Sequence, residues 1–130
     1  MHALARLPPV QGIAAMQSIN VVAAVRPLFM AAFLGTAAAC ALLAVSSLLR
    51  WHKPGASYLL AGSLLYLAGT FLVTIVCNVP RNNALAAVDP ASADSASRWA
   101  GYIASWTAWN HVRTAAALAA AVSYTIALGR

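Results

Sequence analysis

Carboxylates are almost missing from this chain. Asp89 and Asp94 are its only acidic residues, against eight Lys and Arg, so the formal net charge is +6. Charged residues of both signs make up 8% of the 130 positions, where an ordinary soluble domain carries roughly a quarter. Cysteine is as sparse. Cys40 and Cys77 both lie inside apolar runs, with no CxxC pair and no histidine at metal-ligand spacing, so no metal centre is expected. The basic excess does not point to nucleic acid. No two Lys or Arg are adjacent, and the charges stand at the ends of apolar runs, where such side chains snorkel to anionic headgroups. No nucleic-acid partner is therefore expected. The first residues lack a basic stretch leading into an apolar core and a cleavage site, so no secretory leader is expected.

What fills the chain is apolar. Hydrophobic residues make up 62% of it and the mean hydropathy is +0.77, which together with the long apolar runs defines an integral membrane protein. The expected fold is all-α: one membrane domain over residues 1–130, a helical bundle of three spanning helices plus an N-terminal interfacial helix. The lipid bilayer is its first partner, and its place is the cell membrane, multi-pass.

Pro8 and Pro9 close a short N-terminal segment, since proline cannot continue a helix. Residues 11–25 read as the interfacial helix, with Ile13, Met16, Asn20, Val21 and Ala24 along one broad face; the stretch is too short and polar to span. Arg26-Pro27 opens the first span, residues 28–49, because proline suits the first turn of a helix. Phe29, Phe33, Thr36, Cys40 and Ser47 share a face of it. Arg50, Trp51, His52 and Lys53 anchor its end, and Pro54-Gly55 turns the chain. The second span covers residues 57–79, with Ser63, Thr70, Thr74 and Asn78 in one polar stripe. Pro80 is expected to interrupt it and free carbonyls near residue 76. Asn78 has two uses open to it: satisfying such carbonyls, or facing a ligand. Residues 80–104 form a polar connection, and a helix starting near Ser95 carries the third span, residues 105–128. The short basic turn at 50–53 favours that side as cytoplasmic.

The densest chemistry is Trp106-Thr107-Ala108-Trp109-Asn110-His111-Val112-Arg113-Thr114. On a helical wheel Tyr102, Trp106, Trp109 and Arg113 fall on one stripe. Asn110 and Thr114 lie beside it, and His111 points further round.

Taken with Asn78-Val79-Pro80-Arg81-Asn82-Asn83-Ala84-Leu85, that run resembles the anthrone-oxygenase-like family of small membrane proteins, many of whose bacterial members are catalogued only as a domain of unknown function. Ala3 to Pro9, Ala14 to Asn20 and Pro27-Leu28-Phe29 are similar to it as well. The resemblance implies a four-helix membrane bundle. Relatives usually carry a further apolar helix before the segment that starts here at Met1. Without it one side of the bundle is open, and a homodimer would close it.

The resemblance also implies O2-dependent oxidation of a flat, hydrophobic phenolic substrate of the anthrone type. Such a reaction needs a base, a donor for the enolate oxygen and an apolar slot. Under it His111 is the base, and Arg113 and Asn110 stabilise the oxyanion. Trp106, Trp109 and Tyr102 stack on the rings, with Thr114 at the edge of the same surface. Asn78, Asn82 and Asn83 supply supporting hydrogen bonds. No cofactor is required; haem through His111, with Arg113 pairing a propionate, is the lesser alternative. The rival reading is a non-catalytic membrane protein that binds a lipid, quinone, haem or partner protein.

Overall fold

The computed structural model is helical, with no strand among the described residues. It describes the backbone of residues 1–130 and every side chain except that of Ala24. A 3-10 turn at Leu4–Arg6 leads into α1 (Pro9–Val25) and α2 (Pro27–Leu49). These are followed by α3 (Ala56–Ala86) and α4 (Ser95–Leu128). The last three are 23, 31 and 34 residues long and apolar enough to cross a membrane, since ~20 residues suffice for ~30 Å of hydrocarbon. At 1.5 Å per residue α4 is about 50 Å long, so part of it extends beyond the hydrocarbon.

Local chemistry sets most of the boundaries. Pro9 and Pro27 stand at the first turns of α1 and α2, where a missing N–H costs nothing. The turn after α2 closes with a 2.9 Å bond from the Lys53 N–H to the Arg50 carbonyl. Gly55 follows with φ +80°, and a Cβ there would stand 2.9 Å from the Ala127 carbonyl oxygen. Both the left-handed backbone and the tight approach to the end of α4 call for glycine.

Pro80 does not interrupt the second long helix. α3 runs through it to Ala86, so the connection to α4 is residues 87–94 rather than 80–104. The helix changes register instead of breaking. Two π-helical stretches, Leu67–Leu72 and Thr74–Asn78, precede the proline, and the Val79 N–H reaches back five residues to the Thr74 carbonyl. The wider turn relieves the clash that a proline ring makes with the carbonyl four residues back. The Cys77 carbonyl is taken by the Nη1 of Arg81, not by an asparagine. In the connection, Asp89 Oδ1 accepts from the Ala91 N–H at 2.9 Å. Asp94 holds the N-cap position of α4, but its carboxylate takes the Arg98 side chain rather than a backbone N–H.

α3 and α4 form the main antiparallel pair, α2 packs on the first half of α3, and α1 lies against the end of α3 and the first half of α4. Two clusters fix the ends. At one, the Tyr124 hydroxyl stands 3.0 Å from the Ser63 hydroxyl and donates to Cys40 Sγ at 3.1 Å, joining α2, α3 and α4. Gly62 lets this happen, since a Cβ there would sit 3.1 Å from the Tyr124 ring. At the other, Ile13, Met16, Leu85, Trp99 and Tyr102 form a buried apolar core. Of the face expected on α1, Ile13 and Met16 are buried, whereas Val21 is exposed. Large apolar side chains such as Leu28, Leu42, Leu49 and Leu128 stand on the outer surfaces, where only hydrocarbon would cover them.

Candidate functional site

The α3–α4 seam holds most of the residues singled out from the sequence. Thr70 Oγ1 donates to the Arg113 carbonyl at 3.2 Å, and the Tyr102 hydroxyl donates to Asn82 Oδ1 at 2.8 Å. These two rungs fix the register, and the stripe of Tyr102, Trp106, Trp109 and Arg113 lies along the seam. Asn78 is placed between the rungs. It is 1% exposed, and both its amide oxygen and its amide nitrogen lack a partner. Trp106 Nε1 and Arg113 Nε are likewise buried and unpartnered. Buried polar groups without partners are uncommon and costly, so several of them along one seam mark a place where folding alone did not set the residue types. The Arg81 guanidinium, besides its bond to Cys77, lies 5.8 Å from the Trp109 ring centroid.

α1 braces this seam from outside. Gln17 Nε2 donates to the carbonyls of Leu85 and Val88, both at 2.9 Å, capping the end of α3. The Trp99 ring stacks on Tyr102 with centroids 5.7 Å apart, and Gly12 packs directly against the Trp99 ring. Asn20 lies beside the Tyr102 hydroxyl, its own Nδ2 buried and unpartnered.

A different face of α4 carries His111. Ile103, Ala104, Thr107, Ala108 and His111 form one wall of a groove of about 340 Å³, and Met1, His2 and Ala5 form the other. Thr107 Oγ1 is buried there without a partner, one helical turn before the His111 imidazole. The groove is thus an apolar slot with an imidazole on its wall.

The structure therefore brings Tyr102, Trp106, Trp109 and Arg113 together with Asn78 and Asn82, and separates them from His111. Asn110 is half-buried beside the seam. Thr114 Oγ1 donates to the Asn110 carbonyl of its own helix at 2.9 Å, and Asn83 is exposed. Arg113 and Asn110 do not line the groove that holds His111. Three residues with a place in these sites stand outside the candidate set: Gln17, Thr107 and Arg81. Thr107 and Arg81 lie inside the quoted motifs and are open to the wheel. Gln17 is not, because its partners are remote in sequence. Among the described residues no group of three or more His, Cys, Asp or Glu could hold a metal ion.

Three span-capable helices and an aromatic, amide-rich seam define a small helical membrane protein. A family model described as anthrone oxygenase matches residues 28–123, taking in α2, α3, most of α4 and both asparagine-containing motifs, and the chain belongs to that family. The N-terminal segment, with His2, Gln17 and Asn20, lies outside the matched residues. No curated protein and no solved structure matches the chain.

Proposed function

We propose that the protein is a multi-pass oxygenase of the cell membrane that converts the methylene of a flat, apolar anthrone-type phenol to a carbonyl with O2. The observation that carries this reading is the His111 groove. Its volume of about 340 Å³ lies in the range of small-molecule sites, and its walls pair an apolar surface with one base. His111 takes a proton from the methylene. The enolate passes an electron to O2 and the radical pair joins, forming a carbon–oxygen bond. The imidazolium returns its proton to the peroxide. Removal of the second methylene proton then expels hydroxide, which leaves as water, so one CH2 and one O2 give one C=O and one H2O. The α3–α4 seam keeps α4 rotated so that His111 faces the groove, and Asn78, Asn82, Tyr102, Trp106, Trp109 and Arg113 act there as positioning residues.

The test is turnover in lipid nanodiscs with an anthrone and isotopically labelled O2. One labelled oxygen in the new carbonyl and one in water, at a rate above protein-free nanodiscs, is the expected result. Conversion no faster than the blank would sink the proposal. A second reading has one observation in its favour: His2 and His111 line the same groove, as paired imidazole ligands of a haem or metal ion would. A Soret band in the absorption spectrum of the purified protein would put that reading first.

A further inference from the structure

Oxidation in the His111 groove needs one group more than His111 supplies. As the methylene loses its proton, charge gathers on the carbonyl oxygen, and a donor placed there lowers the barrier. Arg113 and Asn110, expected from the sequence in that part, do not line the groove. The polar side chains that do are His2, Thr107 and His111. Thr107 Oγ1 is buried, so a molecule in the groove does not touch it. His2 is exposed there. No side-chain hydrogen bond or ion pair among the described residues engages either imidazole. Neither ring is held away from the groove it lines.

Local packing keeps His2 in place. The Ala5 N–H donates to the Met1 carbonyl at 2.9 Å and the Leu7 N–H to the Leu4 carbonyl at 3.1 Å, so the first residues are turned rather than trailing from α1. Met1 and Leu4 pack against the buried cluster that contains Trp99 and Tyr102 of α4. His2 and Ala5 line the groove across from Ile103, Ala104, Ala108 and His111. Two of the three histidines in the chain thus reach one groove from its two walls. The shape of an anthrone gives that arrangement a use. Its methylene and carbonyl carbons face each other across the central ring, so a base at one and a donor at the other approach from opposite edges. A neutral imidazole carries one N–H donor and one acceptor nitrogen, so one ring can accept while the other donates.

We propose that His2 is a second catalytic residue, donating an imidazole N–H to the anthrone oxygen while His111 takes the methylene proton. His2 keeps its own proton. The hydrogen bond strengthens as the oxygen becomes an enolate and relaxes when the carbonyl re-forms. The proposal rests on the oxygenase reading, and steady-state oxidation of an anthrone by the full chain in lipid nanodiscs separates the two. His2→Phe keeps a ring on that wall and removes the donor, whereas His2→Gln keeps an N–H donor without an imidazole. His2 is exposed, so both variants should fold, which circular dichroism checks. His2→Phe is expected to lower kcat about tenfold, less than the loss from an enclosed oxyanion hole because water reaches the groove. KM should stay within about twofold of wild type, as for a contact made mainly in the transition state. His2→Gln should recover most of kcat, and His52→Phe, in the turn after α2, should match wild type. Wild-type turnover with His2→Phe equally fast would overturn His2 alone. So would equal losses in the Gln and Phe variants, or a rise in KM with kcat unchanged, the sign of a wall that only packs. Absence of turnover in wild type would remove the oxygenase reading and this role with it.

Discussion

The Tyr102 hydroxyl donates to Asn82 Oδ1 at 2.8 Å, tying the start of α4 to the end of α3 across twenty positions of sequence. The bond is half-buried and its partners are both uncharged, so its net worth should be about 0.5–1.5 kcal/mol. Tyr102→Phe is expected to lower the unfolding free energy in detergent by that amount. Asn82→Ala in the Tyr102→Phe background should then cost less than it does alone. Additive losses in this double-mutant cycle would show that the two side chains are not coupled.

Asn78 should respond in the opposite sense to most core residues. Its amide is 1% exposed with neither atom partnered, a desolvation cost of about 1–3 kcal/mol. Asn78→Leu is therefore expected to raise resistance to unfolding by denaturant, while an ordinary core substitution lowers it. A clearly destabilised Asn78→Leu protein would mean that the amide has a partner in the folded bundle.

The wheel read the Tyr102, Trp106, Trp109 and Arg113 stripe because a helical period is a local property of sequence. It also placed His111 off that stripe, as the structure does. The Tyr102–Asn82 bond was half visible, since both residues sit near motifs that fall at the same membrane face. Other features were not. The π turns before Pro80 have no pattern of their own, and proline alone reads as a break. Gln17 reaches carbonyls 68 and 71 residues away, and the wall of the His111 groove comes from Met1, His2 and Ala5; such pairings exist only once the helices have packed.

Gly12 is the tightest point of α1. A Cβ there would meet the Trp99 ring at 2.5 Å and 2.6 Å, and both elements are held in a buried cluster. Gly12→Ala must push the ring or the helix aside, at about 1–3 kcal/mol for overpacking. Tryptophan fluorescence should shift and the melting temperature fall. An unchanged spectrum with unchanged stability would show that α1 docks more loosely than the contact indicates.

Acid should act weakly at Asp94, outside the spans. The Arg98 side chain on Asp94 holds the Asp94 carboxyl below the usual carboxylate range. A group whose folded pKa is depressed adds stability above its unfolded pKa, near 3.9, and loses it as pH falls through the lower folded value. The pair is exposed, so solvent screens most of that contribution. Melting temperatures of wild type and Asp94→Asn should separate slightly above about pH 5, with wild type the higher, and converge as acid protonates Asp94 in the folded protein. Asp94→Asn melting above wild type at neutral pH would contradict this.

The most direct measurement is steady-state oxidation of an anthrone by His111→Ala in nanodiscs, scaled to folded protein by circular dichroism. His111 is exposed in its groove, so the variant should fold. Losing the base should cut kcat by about 10²–10⁴-fold with wild-type stability retained. Turnover equal to wild type per folded molecule would contradict the claim that this imidazole starts the reaction.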